Sequence, residues 1–234
     1  MIKVKKNILT ILSSLMCCYV QIVATVNAVE ISSTAQLSNS KTTLVPEQLQ
    51  KQLPNDVVAE LAEKGQFKIG VKTLNIINPA QFDPATQATK DRELTVEVWY
   101  PTTVDNQHTK KTSYENVTRT GKNFSIQADA FRDSAVLVNN EAEKFPLVVL
   151  SHGYTGYRTL MYYLAEHLAS HGYIVAAIDH TDSTNAEVDM INSPFAGFVS
   201  TLLNRSRDQQ FTLNYLTTTP NFLSKVIDSQ KAGL

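Results

Sequence analysis

The sequence predicts an α/β fold, a mostly parallel sheet flanked by helices, and three observations carry that prediction. Two continuous apolar runs, residues 147–150 and 173–178, have the length and the lack of alternation of strands buried on both faces. Between them, residues 157–170 place Leu160, Leu164 and Leu168 on one helical stripe, with Gly172 just past the end. Strand, helix and strand within about 34 residues make a βαβ unit, which needs a parallel pair and a right-handed crossover. Ligands bind such sheets beyond the carboxyl ends of the strands. Residues 151–156 and 179–185 therefore form the predicted functional rim.

Taken in order, the chain opens on Lys3, Lys5 and Lys6, followed by an uncharged stretch from Ile8 to Val26 and then Val26-Asn27-Ala28. A basic start, an apolar run and a small-residue site read as a secretory signal peptide over residues 1–28. Thr10, Ser13, Ser14, Gln21 and Thr25 dilute the run, which disfavours an uncleaved membrane span. Both cysteines, Cys17 and Cys18, lie inside this leader, so the mature chain is expected to hold no disulfide and no thiol nucleophile. Cleavage removes three lysines and no acid, leaving 18 basic against 22 acidic residues and a formal charge of about −4. That weak acidic balance excludes a nucleic acid as the expected partner. Secretion or a periplasmic location follows from the leader, with no stable membrane span after cleavage.

Residues 29–65 are expected to form a flexible and helical N-terminal segment, rich first in Ser, Thr, Gln and Asn and then patterned from Pro46 to Lys64. The period then changes. Phe67, Ile69 and Val71 alternate with polar residues, as do Leu94, Val96, Val98 and Tyr100, and these two strands should pair across a loop at 78–92. Residues 102–143 show no strong periodicity and read as an irregular excursion. After the βαβ unit come a polar and aromatic loop at 181–198, a helix at 199–216, a short helical turn at 220–226, and the opening of another strand at 232–234. The domain so defined covers residues 66–234.

A serine hydrolase needs a nucleophile, a base, an acid that orients the base, and donors for the developing oxyanion. The sequence contains no Gly-x-Ser-x-Gly. Ser151 and His152 are chain neighbours, whose side chains point to opposite sides of a strand. Asp179, His180 and Asp182 cluster without an evident nucleophile, and their spacing suits a polar loop better than a metal site. No assembled triad is expected within residues 1–234, and no metal or cofactor is implied. Arg158 is expected to pair with an acid such as Asp182, and His167 and His171 to be surface or packing residues. One component of a hydrolase does fit. The His152-Gly153-Tyr154 turn follows a buried strand, where a backbone N–H of an oxyanion hole belongs, and Tyr154 is the residue placed to present it.

The stretch FPLVVLSHGYTGYRTLMYYLAEHLASHGYIVAAIDHTD, Phe145 to Asp182, resembles platelet-activating-factor acetylhydrolases and related bacterial esterases of the α/β-hydrolase superfamily. Upstream, the strand from Arg92 ending in Trp99-Tyr100-Pro101 is similar to that family's, as are Arg205 and Asp208 downstream. Cutinase-like polyester hydrolases and dienelactone-hydrolase-like proteins are near relations. The resemblance implies a carboxylic-ester hydrolase of the serine type acting on a small ester or lipid, short-acyl phospholipid foremost. It implies a Ser-Asp-His triad and a backbone donor to the oxyanion too, of which only the donor, the Tyr154 N–H, maps onto these residues. The elbow serine is then expected just beyond Leu234, and the chain alone is expected to be inactive. The alternative is a non-catalytic fragment, or half of a split protein that needs a partner.

Overall fold

The structure is a computed structural model that describes residues 62–104, 110–138 and 144–234. All belong to one of the two units into which the chain divides, Pro54–Leu234. The predicted signal peptide and nearly all of the predicted N-terminal helical segment lie outside the described residues.

Eight strands form one sheet: β1 (Lys68–Asp83), β2 (Ala88–Thr103), β3 (Lys111–Val117), β4 (Asn123–Arg132), β5 (Ala135–Val136), β6 (Phe145–Ser151), β7 (Ile174–Asp179) and β8 (Ile227–Gly233). Among the described residues two helices accompany them, α1 (Tyr162–Ser170) and α2 (Phe198–Thr218). The strand order is β3-β4-β1-β2-β7-β6-β8, with β5 paired to β2. Parallel pairing holds β7, β6 and β8 together, as the βαβ pattern requires, and β2 joins β7 antiparallel. This is the predicted α/β architecture, continued on one side by antiparallel ribbons.

Both faces of the sheet are covered, which explains why β7 reads as an unbroken apolar run. On one face, Val71, Trp99, Val175 and Ala177 pack with Ala165 and Ala169 of α1. On the other, Val96, Val98, Ile174, Ala176 and Ile178 pack with Leu216 of α2 and with Leu223. Alternate residues of each strand thus serve opposite layers.

Several local expectations change. The loop predicted at 78–92 is mostly strand: β1 and β2 run on as a ribbon to Asp83↔Ala88, with a register shift between Asn78 and Gln81. The ribbon extends past the core, so its residues lack the apolar alternation that marks a strand. Residues 102–143 contain a second hairpin, β3–β4, whose Phe124, Ile126, Ala128 and Ala130 do alternate. The helix expected from 157 begins at Tyr162, because turns occupy 157–161 and no side chain caps the start. Its buried stripe is Ala165 and Ala169; Leu160 and Leu164 are exposed, since only small residues let the helix approach the sheet this closely. The last strand begins at Ile227, five residues before the segment expected from sequence.

Candidate active site

The carboxyl ends of β6 and β7 and the beginning of the core part of β2 lie at one rim of the sheet. Two loops leave this rim and are tied to each other by backbone. Thr155 N–H donates to Ser183 O at 2.9 Å and Asn185 N–H to Gly156 O at 3.1 Å, with a parallel bridge between Gly156 and Thr184. Thr155 and Asp182 hold φ of 61° and 69°, the left-handed region that costs a side-chain-bearing residue about 1–3 kcal/mol. Asp182 has no freedom to relax, because Gly197 presses against its carbonyl; a Cβ at Gly197 would fall 1.6 Å from Asp182 O.

His152 is the clamp of the first loop. Its Nε2 accepts from the His180 backbone N–H at 3.4 Å, so Nδ1 carries the proton and donates to Gly153 O at 2.7 Å. The tautomer follows from this network. The two histidine rings meet edge to face at 5.3 Å, and burial pushes His152 down to about 4. His152 therefore holds the turn through both ring nitrogens. Among the described residues no acceptor meets the Tyr154 N–H, while the next two N–H groups, of Thr155 and Gly156, are bonded.

Below the loops sits a buried ionic hub. Arg92, at 3% exposure, donates from Nε to Asp208 Oδ1 at 2.9 Å and from Nη2 to Oδ2 at 3.0 Å. It also donates from Nη1 to Asp182 Oδ2 at 3.0 Å and from Nη2 to the Thr181 carbonyl at 2.6 Å. Burial alone would lower the Arg92 pKa; its hydrogen bonds and charge contacts with Asp208 and Asp182 reverse the sign, and it is raised. Asp208 accepts in addition from His180 Nδ1 at 3.0 Å, and His180 Nε2 stands 2.9 Å from Ser151 Oγ. His180 is fully buried, which pushes its pKa below the ordinary imidazole value against the opposing pull of Asp208. Arg205 donates to Ser151 Oγ at 3.2 Å and to Ser183 Oγ at 2.9 Å.

These distances overturn one expectation and redirect another. A serine is aimed at His180 after all, and it is Ser151, brought there from a strand end 29 residues away. Arg158 pairs with acids, as expected, but Asp182 is not among them. It binds Asp179 at 2.5 Å and Glu97 at 2.9 Å, and Asp182 goes to Arg92. Asp179, His180 and Asp182 thus diverge towards three different partners. A cleft of about 560 Å³ borders Lys90, Asp182 and Ser200.

The family model described as platelet-activating factor acetylhydrolase, isoform II, matches residues 61–200, which include the rim loops and both core strands β6 and β7. The chain belongs to that family. Platelet-activating factor acetylhydrolase of Canis lupus familiaris is 52% identical over 42 residues, 18% of this chain and 10% of the relative. Cutinase est1 of Thermobifida alba is 30% identical over 93 residues, 40% of this chain and 26% of the relative. The alignments therefore span a tenth to a quarter of the curated relatives' length. A ferulic acid esterase from Streptomyces cinnamoneus superposes with a TM-score of 0.50 at 24% identity, over 74% of this chain and 53% of that one, and shares the α/β-hydrolase fold. The acetylhydrolase family and its neighbours are carboxylic-ester hydrolases by name.

Proposed function

We propose that these residues supply the oxyanion-binding half of a serine carboxylic-ester hydrolase whose substrates are small esters, short-acyl phospholipids foremost. The Tyr154 N–H carries this reading: it lies at the carboxyl end of β6, lacks an acceptor among the described residues, and sits on a loop clamped by His152. A donor fixed before the reaction begins stabilises the tetrahedral oxyanion without reorganising. The sequence holds no Gly-x-Ser-x-Gly, and in this reading the elbow serine follows β8, which runs parallel to β6. Residues 1–28 would direct export, to the periplasm or outside the cell, before removal. No helix among the described residues is long and apolar enough to cross a membrane.

The test uses the protein purified from its own source and a short-acyl p-nitrophenyl ester. Tyr154→Pro removes the N–H, and kcat should fall on the order of 10²–10³-fold with the thermal midpoint preserved. Full turnover by a folded Tyr154→Pro protein would sink the assignment.

A second reading, a non-catalytic fragment or half of a split protein, draws on the sheet edge: β8 pairs with β6 alone among the described residues. Ester turnover that appears only on adding a second polypeptide would favour it.

A further inference from the structure

Ser151, His180 and Asp208 form a hydrogen-bonded line in which every proton can be placed. Arg92 grips both oxygens of Asp208, so these accept, and His180 Nδ1 must carry the proton it donates to Oδ2 at 3.0 Å. His180 Nε2 is then a lone-pair nitrogen, and the Ser151 hydroxyl must donate to it across 2.9 Å. A carboxylate orients an imidazole and the imidazole accepts from a hydroxyl; that sequence of bonds makes a serine nucleophilic.

Three features separate this line from an ordinary buried chain of hydrogen bonds. His180 is fully buried and held in its neutral form, the form that can take a proton. Ser151 is only partly buried and ends a parallel strand, where ligands reach such sheets. Arg205 meets no carboxylate at ion-pair distance among the described residues and instead donates to Ser151 Oγ at 3.2 Å. Among the described residues, a cation with only hydroxyl partners thus stands beside the oxygen that would attack.

We propose that Ser151 is an acyl-accepting nucleophile, activated by His180, oriented through Asp208, and directed at small activated esters. The proposal goes beyond the ester-hydrolase reading above, which places its nucleophile outside these residues. Ser151 Oγ bonds to the ester carbonyl carbon as its proton passes to His180 Nε2. The carbon–alkoxide bond then breaks, and His180 returns the proton to the departing alkoxide, leaving an alcohol and an acyl-Ser151. Water attacks the acyl group in turn, with His180 again taking and returning the proton, to give the acid and free serine.

The experiment treats the full protein with a fluorophosphonate, whose phosphorus bonds to Oγ as fluoride leaves, and reads the adduct by mass spectrometry of tryptic peptides. Cleavage after Lys144 and Arg158 isolates Ser151 as the one serine of its peptide. We expect the adduct there, with a labelling rate that falls as His180 is protonated on acidification. His180→Gln should slow it on the order of 10²–10⁴-fold, and Asp208→Asn, which keeps an oxygen for Nδ1–H, should slow it at least about tenfold. Folding of each variant is checked by circular dichroism; where both misfold, the pH profile of the unaltered protein decides. No adduct on Ser151, or equal labelling without His180, overturns the proposal. An adduct confined to any other serine overturns it, and one confined to a serine within a Gly-x-Ser-x-Gly peptide upholds the elbow reading at the same time.

Discussion

Arg92 and Asp208 stand 116 residues apart in sequence, yet meet through three hydrogen bonds with 3% and 0% of their side chains exposed. Such a pair is weak as a source of net stability, because both charges leave water, but severe when half of it is removed. Arg92→Met should therefore cost about 3–5 kcal/mol in urea unfolding, with Asp208 left as a buried lone carboxylate. Arg92→Met/Asp208→Asn removes that charge while keeping an acceptor for His180, and should recover a good part of the loss. An Arg92→Met cost no larger than that of a surface substitution would contradict the burial of the pair.

Acid should loosen the site before it unfolds the rest. His152 is pushed down to about 4 from 6.5, so between these pH values the unfolded chain binds a proton that the folded chain refuses. Stability is thus fully present above pH 6.5 and is lost as pH falls towards about 4. At about 1.4 kcal/mol per unit, the loss from His152 alone approaches about 3 kcal/mol. His180 is lowered too and acts in the same sense. Glu166 is raised, mainly by burial, and opposes them at the acid end. Thermal midpoints from pH 7 to 4 should fall steeply for the unaltered protein and less steeply for His152→Gln.

Gly156 has no room for a side chain: an added Cβ would lie 2.8 Å from His152 Nδ1 and 2.9 Å from Gly153 O. Gly156→Ala must push on both partners of the hydrogen bond that holds the Tyr154 turn. Overpacking of this kind costs about 1–3 kcal/mol, and faster amide exchange at residues 153–156 would show that the strain falls on the loop. Unchanged exchange would show that the turn yields elsewhere.

Between β7 and the second turn of α2 the chain exposes large apolar side chains, with Ile191 80%, Phe195 73% and Leu202 68% accessible. Replacing all three with serine should leave unfolding free energy within about 0.5 kcal/mol per site, since none is buried. Binding of an apolar dye should drop at the same time.

The βαβ unit was legible because β6 and β7 are buried on both faces and their composition says so directly. The long ribbon of β1 and β2 was not, because beyond Asn78 it leaves the core and any polar residue serves there. Helix α1 misled through its leucines: alanines touch the sheet, and a stripe of Leu160 and Leu164 is the exposed one. At the site, the hold of His152 on its own turn could be read from one short segment. The link from Ser151 to Asp208 could not, since His180 bridges them in steps of 29 and 28 residues and no local spacing records such a meeting. The i, i+3 spacing of Arg205 and Asp208 on α2 was the one available signal, because it puts both on a single helix face.

The separation of Arg92 from Asp208 also sets a clock on the ribosome. At roughly 5–20 residues per second, the guanidinium of Arg92 is synthesised about 6 to 23 s before its carboxylate exists. Through that interval the β1–β2 ribbon can pair with itself, yet its start carries a cation that has to stay in water. The ribbon cannot settle against β7 with that end buried until α2 has emerged, so the rim of the site closes only after the whole βαβ unit and the loop behind it have been made.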